Sequence, residues 1–240
     1  MKAKVSKWFY PLCALVVAGC AGAKVTEETQ RAPLAAAKPA QIVVYPFAIS
    51  SAEVTLNQSI GSRIYRNMSD ENSTAEQAKL AHDTAQNVCV TVSTTLTQKG
   101  YNAVCLSRGV PVNANNALVV DGEFTNINEG NRLRRMVIGL GAGASTLDTS
   151  VEVSQVFSGE SKMVMQFTTH ADSGKMPGAA ITGPPGAVAG GAAAAASLGA
   201  NVAAGGVKSV TSSTGYLADK TSTQIINQLT AYFQQQGWQS

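Results

Sequence analysis

The chain is short of charge, of aromatic side chains and of histidine. Charged residues make up 14% of its 240 positions and aromatic residues 6%, and there are 2 histidines. Soluble proteins average about 25% charged residues, and alanine, glycine, serine and threonine take the place of the missing charge. This composition excludes a coiled coil, a highly charged disordered chain and a polytopic membrane protein.

The excess of positive charge lies entirely in the first few residues. Lys2, Lys4 and Lys7 precede the first acidic residue, Glu27, and they account for the formal net charge of +3. The remaining chain is neutral, so it offers no electrostatic reason to bind nucleic acid, which requires a clustered basic surface. We therefore expect no nucleic-acid partner.

The N-terminus has the pattern of a secretory signal over residues 1–19. Its apolar run from Trp8 to Ala18 has 11 residues, too few for a helix that spans about 30 Å of hydrocarbon. The four residues Val17-Ala18-Gly19-Cys20 resemble a bacterial lipobox. An ordinary signal peptide with a chance cysteine is the alternative.

The lipobox resemblance implies cleavage before Cys20, a diacylglycerol on its sulfur and an acyl chain, such as palmitate, on its new amine. Several acyl chains anchor a protein stably, whereas one holds it marginally. Ala21 stands where an aspartate would mark retention in the inner membrane. The expected location is therefore the outer membrane, on its periplasmic side.

Residues 20–40 are expected to form a lipidated N-terminus and a flexible tether. Beyond Cys20 the segment contains no aromatic residue, two prolines and charges of both signs, and a flexible chain of ~20 residues has an end-to-end distance of roughly 25 Å. A single domain would then occupy residues 41–240.

Hydrophobic periodicity predicts two helices and several strands in that domain. A capping box at 73–76 precedes apolar residues at three- and four-residue spacing, which predicts a helix over 75–99. A second helix is predicted over 217–233, ending before Gly237. Strands are predicted at 41–47, 101–106 and 117–127.

The clearest strand signal is an alternation of apolar and polar residues over 147–157 and again over 163–169. A glycine-containing link joins the two runs, which predicts an antiparallel hairpin with one wet face. The predicted fold is α+β: a four- to five-stranded mixed, mostly antiparallel sheet with both helices on one face. A Gly/Ala-rich insertion at about 176–207 would precede the last helix.

One stretch resembles a known family. It reads DGEFTNINEGNRLRRMVIGLGAGASTLDTSVEV and combines Gly122-x-Phe124, Gly130, an arginine pair and Gly139-x-Gly141-x-Gly143. With the lipobox, this pattern resembles the bacterial envelope lipoproteins grouped as domain of unknown function 4410. The resemblance covers roughly residues 40–175 and the final helix, and it implies an envelope location without an activity.

Two cysteines remain available for a disulfide. Cys13 leaves with the signal and Cys20 is expected to be lipidated, so Cys89 and Cys105 are left in an oxidising compartment. They lie on the first helix and on the strand directly after it, which usually pack together. A bond there would stabilise the fold by about 3 kcal/mol; the alternative is two buried free thiols.

Catalytic and metal-binding patterns have little support. No second His, Cys or Glu lies at metal-ligand spacing from His82 or His170, and neither a Gly-x-Ser-x-Gly elbow nor a P-loop occurs. The glycines at 139–143 precede a predicted strand instead of a helix, which favours a tight backbone crossing or bulge over a nucleotide site. We expect no enzyme activity, metal or cofactor.

Two further segments are candidates for binding. Arg132, Arg134 and Arg135 could grip carboxylates or phosphates of a lipid or glycan, or they could be a solvated strand end that pairs with Glu123 and Glu129. The Gly/Ala-rich run could pack on its own domain, form a low-complexity loop, or provide a surface for oligomerisation or membrane insertion.

The leading functional hypothesis is a non-enzymatic accessory or structural lipoprotein that binds another envelope component, an envelope protein in particular. A module for anionic lipid or glycan that uses the three arginines is the first alternative. The second is a membrane-active protein that assembles into a homo-oligomer through the Gly/Ala-rich run.

Overall fold

A computed structural model describes residues 23–35, 37–49, 53–56, 63, 73–131, 143–173 and 213–238. In these residues one mixed sheet is covered on one face by two helices. The strands are β1 (Ala23–Gln30), β2 (Gln41–Val44), β3 (Val54–Thr55), β4 (Ala103–Cys105), β5 (Asn116–Asn128), β6 (Thr146–Phe157) and β7 (Glu160–Asp172). The helices are α1 (Ser73–Gln98) and α2 (Ser213–Gln235). The predicted α+β class and both predicted helices are confirmed.

The sheet has the strand order β1-β7-β6-β5-β2-β4, and β3 pairs with β5 beside this path. The pairs β1–β7, β7–β6 and β6–β5 are antiparallel, whereas β2 runs parallel to β4 and β5, and β3 runs parallel to β5. The predicted hairpin is β6–β7, and it turns through Ser158 and Gly159, both with positive φ. Two-residue turns with this geometry match the twist of antiparallel strands.

The core lies between the sheet and the helices. Alternate side chains of the central strands point inward and are fully buried, among them Val120, Val151 and Phe167. α1 and α2 contact one another and cover this apolar face. Small residues such as Ala81 and Ala85 line the buried side of α1. No helix within the described part of the chain is long and apolar enough to cross a membrane.

The sheet has two ends, which we name by residues of β1 and β7. At the Ala23 end, register neighbours are Ala23, Ala171, Leu147 and Ile127. At the Glu160 end, Glu160 pairs with Phe157, and Phe157 with Asn116. Asn131 and Gly143, which flank residues 132–142, lie at the Ala23 end. Ser173, which precedes residues 174–212, also lies there, and its N donates to Ser145 O (3.0 Å).

Both helices begin toward the Ala23 end. α1 ends just before Tyr101, whose hydroxyl donates to the carbonyl of Trp238 beyond the end of α2 (3.2 Å). Ala40 lies near these residues, and its N donates to Asn116 O at the Glu160 end (2.9 Å). The end of α1 and the residue after α2 therefore lie at the Glu160 end. Since α2 has 23 residues, about 34 Å of helix, and packs along β1, β6 and β7, its first turn lies toward the Ala23 end.

The structure differs from the predicted tether over much of residues 20–40. Residues 23–30 form β1, an edge strand in which Lys24 pairs with His170 and Thr26 with Thr168. Beyond it, Arg31 N donates to Val164 O (2.7 Å). Pairing with β7 satisfies the backbone of β1, so an edge strand needs few apolar side chains of its own. With β1 and the two-residue β3, the sheet has more strands than the four or five predicted.

A disulfide joins α1 to the strand that follows it. Cys89 and Cys105 are bonded, with Cα atoms 5.6 Å apart and a sequence separation of 16. Cys89 is fully buried in the core, and Cys105 lies in β4 at the sheet edge. The pairing is the first of the two alternatives predicted for these cysteines.

Removing this bond should lower the stability of the domain. A closed loop of about this length contributes ~3 kcal/mol in the chain-entropy estimate, so we expect the Cys89→Ala/Cys105→Ala double variant to lose a similar free energy of unfolding in urea. Dithiothreitol should destabilise the wild type comparably and leave the double variant unchanged. A wild type that is insensitive to the reductant would contradict this expectation.

Candidate functional site

The glycine at position 122 serves packing inside the sheet. A Cβ atom built there would lie 2.5 Å from Ser150 O and 3.1 Å from the ring of Phe47. Phe47 in turn packs on Phe124, with ring centroids 5.5 Å apart. The Gly122-x-Phe124 pattern therefore makes room for one aromatic ring and supplies its neighbour.

Gly130 and Gly143 form a close backbone crossing at the Ala23 end. Gly130 has φ +67°, and a Cβ there would lie 2.4 Å from the carbonyl oxygen of Gly143. Asn131 N donates to that same oxygen (3.0 Å), and Ser145 Oγ donates to Glu129 O (2.6 Å). These contacts support the structural interpretation of the glycine-rich motif at Gly143; Gly139 and Gly141 lie outside the described residues.

The sheet face opposite the helices is polar, and neither described helix lies against it. In β5, β6 and β7 the buried residues alternate with polar ones that point outward. We call the polar set the outward face: Asp121, Glu123, Asn126, Asp148, Ser150, Glu152, Gln166, Thr168, His170 and Asp172. Five of its ten side chains are acidic and the others are polar, so this broad surface would complement a basic or hydrogen-bonding partner.

A row of polar side chains crosses the outward face near the Ala23 end. His170 Nδ1 hydrogen-bonds Asp148 Oδ1, and the other oxygen of Asp148 accepts from Asn126 Nδ2 (2.8 Å). His170 Nε2 lies 3.8 Å from Asp172 Oδ2. Both ring nitrogens of His170 therefore face carboxylates of neighbouring positions. The predicted outward placement of His170 is confirmed.

Arg108 ties a loop to the outward face. Its guanidinium donates to the Asp121 carboxylate, to Gly122 O (3.0 Å) and, through Nε, to Pro46 O (2.8 Å). Sequence reasoning missed this residue because a single arginine in a loop carries no periodic signal. The contacts hold the chain after β4 against β5 and cap one side of the outward face.

A shallow hollow at the Glu160 end is closed by its own side chains. Tyr101, Phe233 and Trp238 form an aromatic cluster there, and Lys38 Nζ lies 4.9 Å from the centroid of the Tyr101 ring. Burial raises the pKa of the Tyr101 phenol, and its hydroxyl donates to the carbonyl oxygen of Trp238 (3.2 Å). The arrangement anchors Trp238 beyond the end of α2, and these side chains fill most of the hollow.

The remaining predicted site residues lie outside the described part of the chain. Cys20 precedes β1 by two intervening residues, and Arg132, Arg134 and Arg135 follow directly on Asn131. The Gly/Ala-rich run at 176–207 is also outside it. The described residues on either side of 132–142 meet at the Gly130–Gly143 crossing.

Comparison with known proteins identifies a family match. A family model described as a domain of unknown function (DUF4410) matches residues 42–190, more than half of the chain. The search of the curated proteins found no match.

Two solved structures of a PelC dodecamer from Paraburkholderia phytofirmans are similar to the chain at 15% and 13% identity. They cover 65% and 66% of this chain and 84% and 86% of theirs, each with a TM-score of 0.33.

Gly130→Ala should destabilise the domain more than Gly159→Ala. Both glycines have positive φ, so each substitution costs about 1–2 kcal/mol of backbone strain. Only Gly130 also meets backbone atoms, since a Cβ at Gly159 would have nothing within 4 Å; overpacking adds about 1–3 kcal/mol. Urea unfolding of the two variants measures the difference, and equal losses would show that the crossing has spare room.

Proposed function

We propose that this chain, which belongs to the family described as a domain of unknown function (DUF4410), is a lipid-anchored envelope lipoprotein of the outer membrane. It acts without catalysis, by binding another envelope component on the periplasmic side. The family description brings no activity with it, so the proposal depends on the residues of this chain.

The main support for the lipid anchor is the sequence that ends at Cys20. A sequence that resembles a lipobox ends at Cys20, and only Ala21 and Gly22 separate it from the first strand. Lipid on the sulfur and on the amine of Cys20 would supply more than one acyl chain, enough for stable anchoring. Ala21 in place of an aspartate supports the outer membrane as the destination.

The outward face supports the binding role. It spans the three longest strands of the sheet, and side chains such as Glu123, Glu152 and Gln166 are exposed on it. An open sheet surface of this kind suits a macromolecular partner better than a small molecule, which binds in a concave pocket. Hydrogen bonds and charge would then set the specificity of the contact.

Replacing Cys20 should abolish lipidation. In cells fed labelled palmitate, we expect the wild type to carry the label and Cys20→Ser to lose it, because the serine lacks the thiol that receives diacylglycerol. Cys13→Ser is the matched control, since Cys13 lies within the signal and should leave labelling intact. Label that persists in Cys20→Ser would refute the lipid anchor.

Photocrosslinking should locate the partner on the outward face. A photoreactive amino acid at Glu152 or Gln166, both exposed there, should give a crosslink to a second envelope protein in intact cells. The matched control places the same group at Lys79, whose side chain is 77% exposed on α1, and it should give none.

The products distinguish the hypotheses. A crosslinked envelope protein from the outward-face positions alone supports the proposed role. Crosslinks only to second copies of the chain would favour self-assembly over an accessory role. Equal products from Lys79 and from the outward-face positions would show that this face is not the binding surface.

A further inference from the structure

We propose that the domain stands end-on to the bilayer, with its Ala23 end against the membrane surface and the Ser158–Gly159 turn furthest from it. This inference rests on the proposed lipid anchor and adds an orientation and a contact surface to it. The partner of this surface is the headgroup layer of the membrane that holds the Cys20 lipid.

The chain between the Cys20 lipid and the sheet is short. Ala23, the first residue of β1, lies three positions after Cys20. Three residues span at most about 11 Å even when fully extended. Because Ala23 is held in the ladder by its pairing with Ala171, the lipid restrains the whole Ala23 end of the sheet and not a loose terminus.

The sheet is much longer than the chain that joins it to the lipid. Eleven positions of β7 separate Ala171 from Glu160, and at about 3.3 Å per residue they span ~36 Å. An upright domain would therefore hold the Ser158–Gly159 turn far from the lipid. A domain lying flat would hold both ends at similar height.

A domain lying flat would rest either on its outward face or on its helices. Lying on the outward face would press the exposed Glu123 and Glu152, in the middle of β5 and β6, against the headgroups, which desolvates carboxylates beside anionic lipid. Lying on the helices would press the exposed Lys79–Asp83 ion pair of α1 against the membrane. Both flat arrangements dehydrate these charged groups, whereas the end-on arrangement leaves them in water.

An exposed aromatic side chain supports the same end. Tyr216, in the first turn of α2, is 44% exposed, and Lys220 Nζ lies 5.4 Å from its ring centroid. This turn lies toward the Ala23 end of the fold. A tyrosine beside a lysine suits the membrane interface, where a ring and its hydroxyl meet apolar and wet surroundings together.

Quenching by lipid-borne nitroxide tests the orientation. Variants of the full lipidated protein with one added cysteine, Lys24→Cys, Tyr216→Cys or Glu160→Cys, would carry a thiol-reactive fluorophore on that cysteine. Each has one reactive thiol, since Cys89 and Cys105 are bonded and Cys20 is acylated in the proposal. The proteoliposomes contain phosphatidylethanolamine and phosphatidylglycerol with a headgroup nitroxide.

We expect a severalfold loss of fluorescence at positions 24 and 216 and none at 160. Position 24 reports the anchor itself, because it lies close to the lipid in any orientation. If it is not quenched, the anchor fails and the orientation with it. If it is quenched while 216 and 160 are quenched equally, or 160 more, the anchor stands and the end-on orientation is wrong.

A spacer gives a matched control. Inserting about 20 Gly/Ser residues between Gly22 and Ala23 adds roughly 25 Å of reach, which should relieve quenching at position 216 while the protein stays membrane-bound. Quenching at 216 that survives the spacer would show that the short reach does not set the orientation.

Discussion

The register of β5, β6 and β7 is the constraint on which the rest of the structure depends. Leu147, Val151 and Val153 face the helices, whereas Asp148 and Glu152 face outward. Because side chains alternate strictly along a strand, a slip of one residue would bury the carboxylates and expose the core. The helix packing, the outward face and the Gly130–Gly143 crossing all require this one alignment.

Features with a strong local period could be predicted from sequence. Alternation identified the β6–β7 hairpin, and three- and four-residue spacing identified both helices, because burial of one face imposes that pattern. β1 was missed for the complementary reason. Its residues AKVTEETQ are almost all exposed, and it is held by backbone hydrogen bonds to β7, which leave no mark on side-chain composition.

The candidate site shows the same limit. The structural interpretation of the glycine motif is supported at Gly143, yet the sequence could not say that Gly130 would meet Gly143, 13 positions away, because that contact depends on how two strands end together. The outward position of His170 followed from alternation, whereas its bond to Asp148 depends on strand register. Arg108 acts through three contacts from a loop, where no periodicity operates.

The pairing of β1 with β7 also bears on the order of folding events. Ala23 finds its partner in Ala171, 148 positions later, so the first strand of the chain has no neighbour until nearly the whole hairpin region has been made. Contacts of such long range are slow to form because a large loop must close first. In a chain that emerges N-terminus first, β6–β7 can assemble locally, and β1 completes the sheet only at a late stage.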